Sequence, residues 1–125
     1  MVRTVLVVED TDHVAPLEIA LSALRGFAVR VLTNGREALE LIRSNNLELA
    51  AVVTDLNLPF VDGFELIQAI RGENRYAALP IVVISGDTRA DTPARVEALG
   101  ADAFFAKPYS PAAIRNSLEV LLHAS

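Results

Sequence analysis

Three acids, a serine and a lysine stand where apolar runs of the sequence give out. Leu49-Ala50-Ala51-Val52-Val53-Thr54 ends in Asp55, after which Pro59 breaks the chain and Asp62-Gly63 turn it. Thr4-Val5-Leu6-Val7-Val8 ends in Glu9-Asp10, Ile81-Val82-Val83-Ile84 in Ser85-Gly86-Asp87, and Ala103-Phe104-Phe105-Ala106 in Lys107-Pro108. Grouped together, Glu9, Asp10 and Asp55 repel one another and call for a counter-charge. Their hard oxygens suit Mg2+, which takes one or two carboxylates and completes its shell with water and phosphate oxygens. Lys107 adds a point charge for a phosphoryl group, and Ser85 adds a hydroxyl donor. Around one free carboxylate these are the parts of phosphoryl transfer, a chemistry of positioning and charge neutralisation. Asp55 is then the nucleophile, and an acyl phosphate is the product.

Elements that could bring those residues together follow from the same runs. Leu49 to Val53 has the pattern of a strand buried on both faces of a parallel sheet. Asp55 therefore falls at the sheet's carboxyl edge, where open α/β sheets keep their ligands. Thr4–Val8 reads as the first strand, and Ala28–Leu32 alternates as a half-exposed edge strand should. Ile81–Ile84 and Ala103–Ala106 complete five strands.

Helices fill the intervals. The first, capped by Thr11 or Asp12, puts Val14, Leu17, Leu21 and Leu24 on one face, carries Pro16 near its first turn and stops at Gly26. The second runs from Arg36 to Arg43, burying Ala38, Leu39 and Ile42, and closes at Asn45-Asn46. The third, Phe64 to Arg71, turns Leu66, Ile67 and Ile70 inward, and residues 72–79 read as a polar loop ending at Pro80. The fourth, about Thr92 to Leu99, has only Val96 and Leu99 as large apolar residues. Ser110-Pro111 open the fifth, whose buried face is Ile114, Leu118, Leu121 and Leu122. Strand–helix alternation through one run implies a doubly wound α/β domain over residues 1–125. Its parallel sheet is expected in the order 2-1-3-4-5, with helices on both faces.

Composition narrows the function classes. Of 125 residues 52% are apolar and 22% charged, as in a globular domain, and the absence of cysteine removes disulfides, thiolate metal sites and thiol nucleophiles. A net charge of −5 argues against direct nucleic-acid binding. No apolar run reaches the roughly 20 residues of a membrane helix, and Met1-Val2-Arg3 leads into a strand rather than a signal peptide, so a cytoplasmic protein is expected.

Taken singly, the motifs have plain readings. Glu9-Asp10 alone would be an acid pair at a helix N-terminus, Lys107-Pro108 a loop entry, and Phe104 a core residue. His13 and His123 read as solvated helix positions, and Phe60 and Tyr109 as loop anchors. The combination resembles one family, the receiver domains of two-component response regulators, single-domain chemotaxis regulators included. Four pieces carry the resemblance: Val5-Leu6-Val7-Val8-Glu9-Asp10; Thr54-Asp55-Leu56-Asn57-Leu58-Pro59-Phe60-Val61-Asp62-Gly63; Pro80-Ile81-Val82-Val83-Ile84-Ser85-Gly86; and Gly100-Ala101-Asp102-Ala103-Phe104-Phe105-Ala106-Lys107-Pro108-Tyr109.

The resemblance implies a flavodoxin-like fold and a phosphoacceptor, Asp55, served by a histidine kinase or a histidine phosphotransfer protein. It implies Mg2+ ligation by Asp10, Asp55 and the backbone carbonyl of Asn57, with Glu9 acting through water. Ser85 and Lys107 would contact the phosphoryl group, Lys107–Pro108 would be a cis peptide, and Ser85 and Phe104 would form the switch. The fourth helix and fifth strand would then meet a downstream protein. The chain would promote its own phosphorylation and slow dephosphorylation without being an enzyme in the turnover sense, and no membrane is involved. Three departures stand out: Glu9 where Asp is commoner, Leu58 and Val61 where Met is frequent, and Phe104 without a tyrosine hydroxyl. A natural single-domain regulator and a receiver excised from a hybrid kinase or larger regulator both fit. A phosphorylation-independent binding module fits less well, because every phosphorylation position is filled. An aspartyl-phosphate phosphatase would want an acid–base carboxylate where Asn57 stands, and a nucleotide binder would not want Glu9-Asp10 facing a phosphate.

Overall fold

The computed structural model describes residues 2–10, 14–44 and 47–123. Thr11 and Asp12 as caps, His13 as a solvated position and Asn45-Asn46 as a helix end lie outside the described residues, as does Met1. Five strands, β1 (Arg3–Val8), β2 (Phe27–Leu32), β3 (Leu49–Asp55), β4 (Ile81–Ser85) and β5 (Ala103–Ala106), alternate with α1 (Ala15–Leu21), α2 (Gly35–Arg43), α3 (Gly63–Arg71), α4 (Thr92–Leu99) and α5 (Pro111–His123). The sheet order is β2-β1-β3-β4-β5, all neighbours parallel. Sequence order reverses between β1 and β3, so their carboxyl ends flank the crevice in which such sheets place ligands.

Side-chain alternation splits the core in two. Leu6, Val8, Val52 and Val83 face α2, α3 and α4, packing on Ile42, Leu66, Ile67, Ile70 and Val96. Val5, Val7, Ala51, Val53, Val82 and Ile84 face α1 and α5, against Leu17, Leu21, Ile114 and Leu118. Each fully buried Leu or Ile contributes about 1.5–3 kcal/mol. β3 is buried along its whole length, Asp55 included.

The structure moves several expected boundaries. α1 stops at Leu21, not near Gly26. The Ser22 hydroxyl donates to the Glu18 carbonyl at 2.8 Å, competing with helical continuation, and turns carry the still-buried Leu24 to Gly26 at φ +87°. α2 and α3 begin one residue early, at Gly35 and Gly63, because Asn34 and Asp62 cap them by accepting from the N–H groups of Glu37 (2.8 Å) and Glu65 (2.9 Å). Residues 72–79 are not a simple polar loop: Asn74–Tyr76 form a 3-10 turn that buries Tyr76 and Leu79. β5 is half-buried, so Phe104 lies at the border of the core. Leu121 and Leu122 are only partly covered. Tyr109 packs on the α1/α5 core as a loop anchor, whereas Phe60 is 71% exposed and anchors nothing in the interior. His123 is exposed, as expected.

α4 has a thin buried face, Thr92 and Val96, and is fastened mainly at its far end. The Arg71 guanidinium donates to the Gly100 carbonyl at 2.7 and 3.1 Å and to the Tyr76 carbonyl at 2.9 Å. Its partner Asp102 (3.3 Å) also accepts from the Ile81 N–H at 2.8 Å, which ties the end of α4 to the start of β4. Gly100, at φ +110°, ends the helix in the left-handed region. The opposite end of α4 meets the loop after β4, at the site.

Candidate functional site

All four strand ends named by the sequence converge. Glu9 leaves β1 with its N–H bonded to the Leu32 carbonyl (3.0 Å), which turns its side chain into the crevice, where it is 1% exposed. Asp10 follows, exposed at the rim. Asp55 ends β3 at 3% exposure, and Ser85 ends β4 fully buried. Lys107 follows β5, fixed by its N–H to the Ser85 carbonyl (2.8 Å), and precedes a cis peptide to Pro108.

Lys107 Nζ bridges the two buried acids, 2.5 Å from Asp55 Oδ2 and 2.9 Å from Glu9 Oε2. Asp55 Oδ1 accepts from the N–H groups of Leu56 (2.6 Å) and Asn57 (3.2 Å), so the carboxylate is fixed on both oxygens. Asn57 is itself exposed beside it. Burial pushes the Glu9 carboxyl above its ordinary range; Lys107 opposes that and the Asp55 charge adds to it. Partial burial pulls Lys107 down, but its bonds to Asp55 and Glu9 outweigh this and hold it above its usual value. Burial likewise raises Tyr109, helped by the Glu9 charge.

One oxygen from each of Glu9, Asp10 and Asp55 lies within 4.8 Å of the others. Three carboxylates face one lysine, and Glu9 Oε1 is buried without a hydrogen-bond partner. An all-oxygen donor set with surplus negative charge and an orphaned carboxylate oxygen fits a hard divalent cation.

The loop from Asp55 to α3 is closed tightly. The Gly63 N–H donates to the Leu56 carbonyl at 2.8 Å, and a Cβ on Gly63 would stand 2.3 Å from the Asp55 carbonyl oxygen, so only glycine fits there. Across the crevice, Ser85 Oγ accepts from the Asp87 N–H at 3.0 Å. Asp87 is clasped by Arg89 through three side-chain contacts of 2.6–3.1 Å, which hold its carboxyl at about 2. Phe104 pairs with Val83, and Ser85 with Ala106 one pleat further along, so both side chains lie on one face of the sheet. They line a cavity of about 380 Å³ with Asp87, Arg89, Pro93 and Lys107.

Three features here escape a reading of the sequence: the Asp87–Arg89 clasp, the approach of α2 to the Asp55 loop, and an Arg36–Phe60 stack. Asn34-Gly35 and Ser85-Gly86-Asp87 mark turns, but nothing local says what those turns touch.

Five parallel strands in this order, with an aspartate at the end of β3 between two acids and a lysine, define a receiver. The profile of the response regulator receiver domain matches residues 5–119. The chain belongs to that family, the receivers of two-component signalling. It is 31% identical over 96% of its length to the transcriptional regulatory protein GltR of Pseudomonas aeruginosa, but spans 49% of that protein. It is 29% identical to the chemotaxis protein CheY1 of Helicobacter pylori, covering 94% of each chain. A response-regulator crystal structure from Chloroflexus aurantiacus superposes with a TM-score of 0.84 at 30% identity, over 98% of this chain and 99% of that one. Receiver domains are regulatory rather than turnover enzymes and bind Mg2+ in an acidic pocket, the place held here by Glu9, Asp10 and Asp55. Among the described residues no helix is long and apolar enough to cross a membrane.

Proposed function

We propose that the chain, read as one domain over residues 1–125, is a phosphorylation-switched receiver that takes a phosphoryl group on Asp55 from the phosphohistidine of a histidine kinase or phosphotransfer protein. The carrying observation is the Asp55 carboxylate, fixed by two backbone N–H groups and by Lys107 at 2.5 Å, beside two further acids. A carboxylate oxygen attacks phosphorus, the phosphorus–nitrogen bond to the donor imidazole breaks, and its electron pair returns to that nitrogen. Lys107 leaves its bridge to meet the new phosphoryl oxygens, and Ser85, whose Oγ accepts from the Asp87 N–H, retains its own proton to donate. Mg2+ supplies charge neutralisation on the transferring group. Asp10, Asp55 and the Asn57 carbonyl would hold it, with Glu9 acting through water.

The test is intact-protein mass spectrometry after incubation with phosphoramidate and Mg2+. One phosphoryl group per chain is expected, mapped to Asp55; no addition at all would overturn the reading. In parallel Mg2+ titrations Asp10→Asn should lose more affinity than Glu9→Gln, because a direct ligand is removed in the first and an outer contact in the second. Equal losses would contradict that assignment.

The switch belongs to the same reading. Ser85 drawn toward the phosphoryl group vacates space in the cavity it shares with Phe104, and the ring turns in. α4 is fastened at its Arg71 end, so its Thr92 end and the Asp87–Arg89 loop are free to follow, and α4 and β5 present the change to a downstream protein. Beryllofluoride, an acyl-phosphate mimic, should therefore shift NMR resonances of residues 86–106 strongly in the parent and weakly in Ser85→Ala. Matching responses would remove the Ser85–Phe104 coupling.

A further inference from the structure

Phe60 occupies a backbone conformation that costs the chain energy, and it stays 71% exposed. The Val61 N–H donates to the Pro59 carbonyl at 2.9 Å across Phe60, whose φ is +72°. That is a γ-turn of the rarer, strained hand, and a bulky side chain in it is an outlier. Such conformations persist only where the surroundings over-determine them, and they gather at functional sites.

Two consecutive residues of α2 supply that determination. The Gly35 N–H donates to the same Pro59 carbonyl at 3.2 Å. Gly35 also lies so close to the turn that a Cβ on it would stand 1.7 Å from the Val61 carbonyl oxygen. The Arg36 guanidinium sits over the Phe60 ring, 4.5 Å from its centroid. The aromatic is thus held from behind while 71% of the residue faces solvent. An aromatic fixed in advance beside an arginine has the composition and rigidity of an interface anchor.

Its place in the chain indicates the partner. Phe60 stands in the short loop that starts at Asp55 and closes at Gly63. Asp55 itself is 3% exposed at the floor of the crevice. A protein that brings a phosphohistidine to Asp55 must cover this rim, and the Asp55 loop is part of it. We propose that Phe60, backed by Arg36, is a docking contact for the phosphohistidine-bearing protein that charges Asp55. This rests on Asp55 being the phosphoacceptor, and it adds a specificity residue outside the reacting groups.

Phe60→Gly tests it, because glycine takes the left-handed conformation without strain and preserves the turn. Arg36→Gln removes the stack and leaves the ring. The probes are phosphoramidate and, as protein donor, the fastest member of a panel of phosphorylated sensor kinases and phosphotransfer proteins from the source organism. Phosphoramidate labelling should stay within about twofold of the parent in both variants. Transfer from the protein donor should fall roughly tenfold or more in Phe60→Gly, as on loss of an aromatic anchor, and by less in Arg36→Gln. Unchanged protein-donor transfer in Phe60→Gly would overturn the proposal, as would an equal fall with phosphoramidate, which would make Phe60 a support of the loop. Labelling of the parent by phosphoramidate but by no member of the panel would also overturn it. So would a change confined to self-association in sedimentation, which would assign the ring to a second copy of the chain. If the parent takes no label even from phosphoramidate, the phosphoacceptor reading itself has failed.

Discussion

Asp55→Asn should take up no phosphoryl group from phosphoramidate and should lose the stabilisation that Mg2+ gives the parent. The carboxamide keeps an oxygen for the N–H groups of Leu56 and Asn57, which bind Oδ1 at 2.6 and 3.2 Å, so the loop to α3 should hold its shape. What disappears is the nucleophile and one of three acids within 4.8 Å of one another. A ligand that binds only the folded state stabilises it by RT ln(1 + [L]/Kd), about 1.4 kcal/mol at ten times the dissociation constant. The parent's thermal midpoint should climb with added Mg2+, while that of Asp55→Asn should stay nearly flat. Mass spectrometry and thermal denaturation across an Mg2+ series give the two readouts. Full labelling of Asp55→Asn would place the nucleophile elsewhere, and an undiminished Mg2+ response would remove Asp55 from the metal site.

The sequence carries the strands well because their causes are local. β-branched runs bounded by acids, glycine and proline leave little room for another assignment, and α4 and β5 fall at Thr92–Leu99 and Ala103–Ala106 as the pattern places them. The rim follows, because in a parallel sheet every strand delivers its last residue to the same edge. What stays hidden is decided between distant segments. The end of α1 turns on a Ser22 hydroxyl in a stretch of ordinary helix formers. Tyr76 looks like a stray aromatic in a polar loop until Arg71 binds its carbonyl. Arg71 itself reads as a solvated cation in a last helical turn, yet it reaches Gly100 and Asp102, some thirty residues on. Phe60 defeats the reading differently: glycine or asparagine would announce a left-handed turn, and phenylalanine does not. At the site, placing Lys107 at the rim needed only strand counting. Its simultaneous hold on Glu9 and Asp55 depends on how far β1 and β3 stand apart, which is a property of the assembled sheet.

That double hold sets the second large effect: Lys107→Ala should destabilise the domain by about 2–4 kcal/mol near neutral pH. Removing one partner of a fully buried ion pair costs about 3–5 kcal/mol, and the figure is lowered here because Lys107 keeps 27% of its side chain exposed. Glu9 and Asp55 would then face each other across the crevice with no cation between them. The penalty should depend on pH in a direction fixed by Glu9. Burial already raises this carboxyl above 4.5, and Lys107 is the influence that opposes the rise, so without Lys107 it goes higher. An acid with a raised folded value contributes stability that is whole below its unfolded value and is lost as pH climbs through the folded one. The variant should therefore lie nearest the parent at about pH 4 and fall away as pH rises toward neutrality. In the parent, the contribution of Lys107 has the usual sign for a base with a raised value. It is present below 10.5 and lost as pH rises through the higher folded value, so strongly alkaline solution should narrow the gap again. Urea denaturation of both proteins in metal-free buffer, from about pH 4 to pH 8, measures the difference. A constant offset across that range would show that Lys107 stabilises through the packing of its stem. A gap that widens with pH would locate its effect in the charge it places between Glu9 and Asp55, the same charge that the arriving phosphoryl group is proposed to claim.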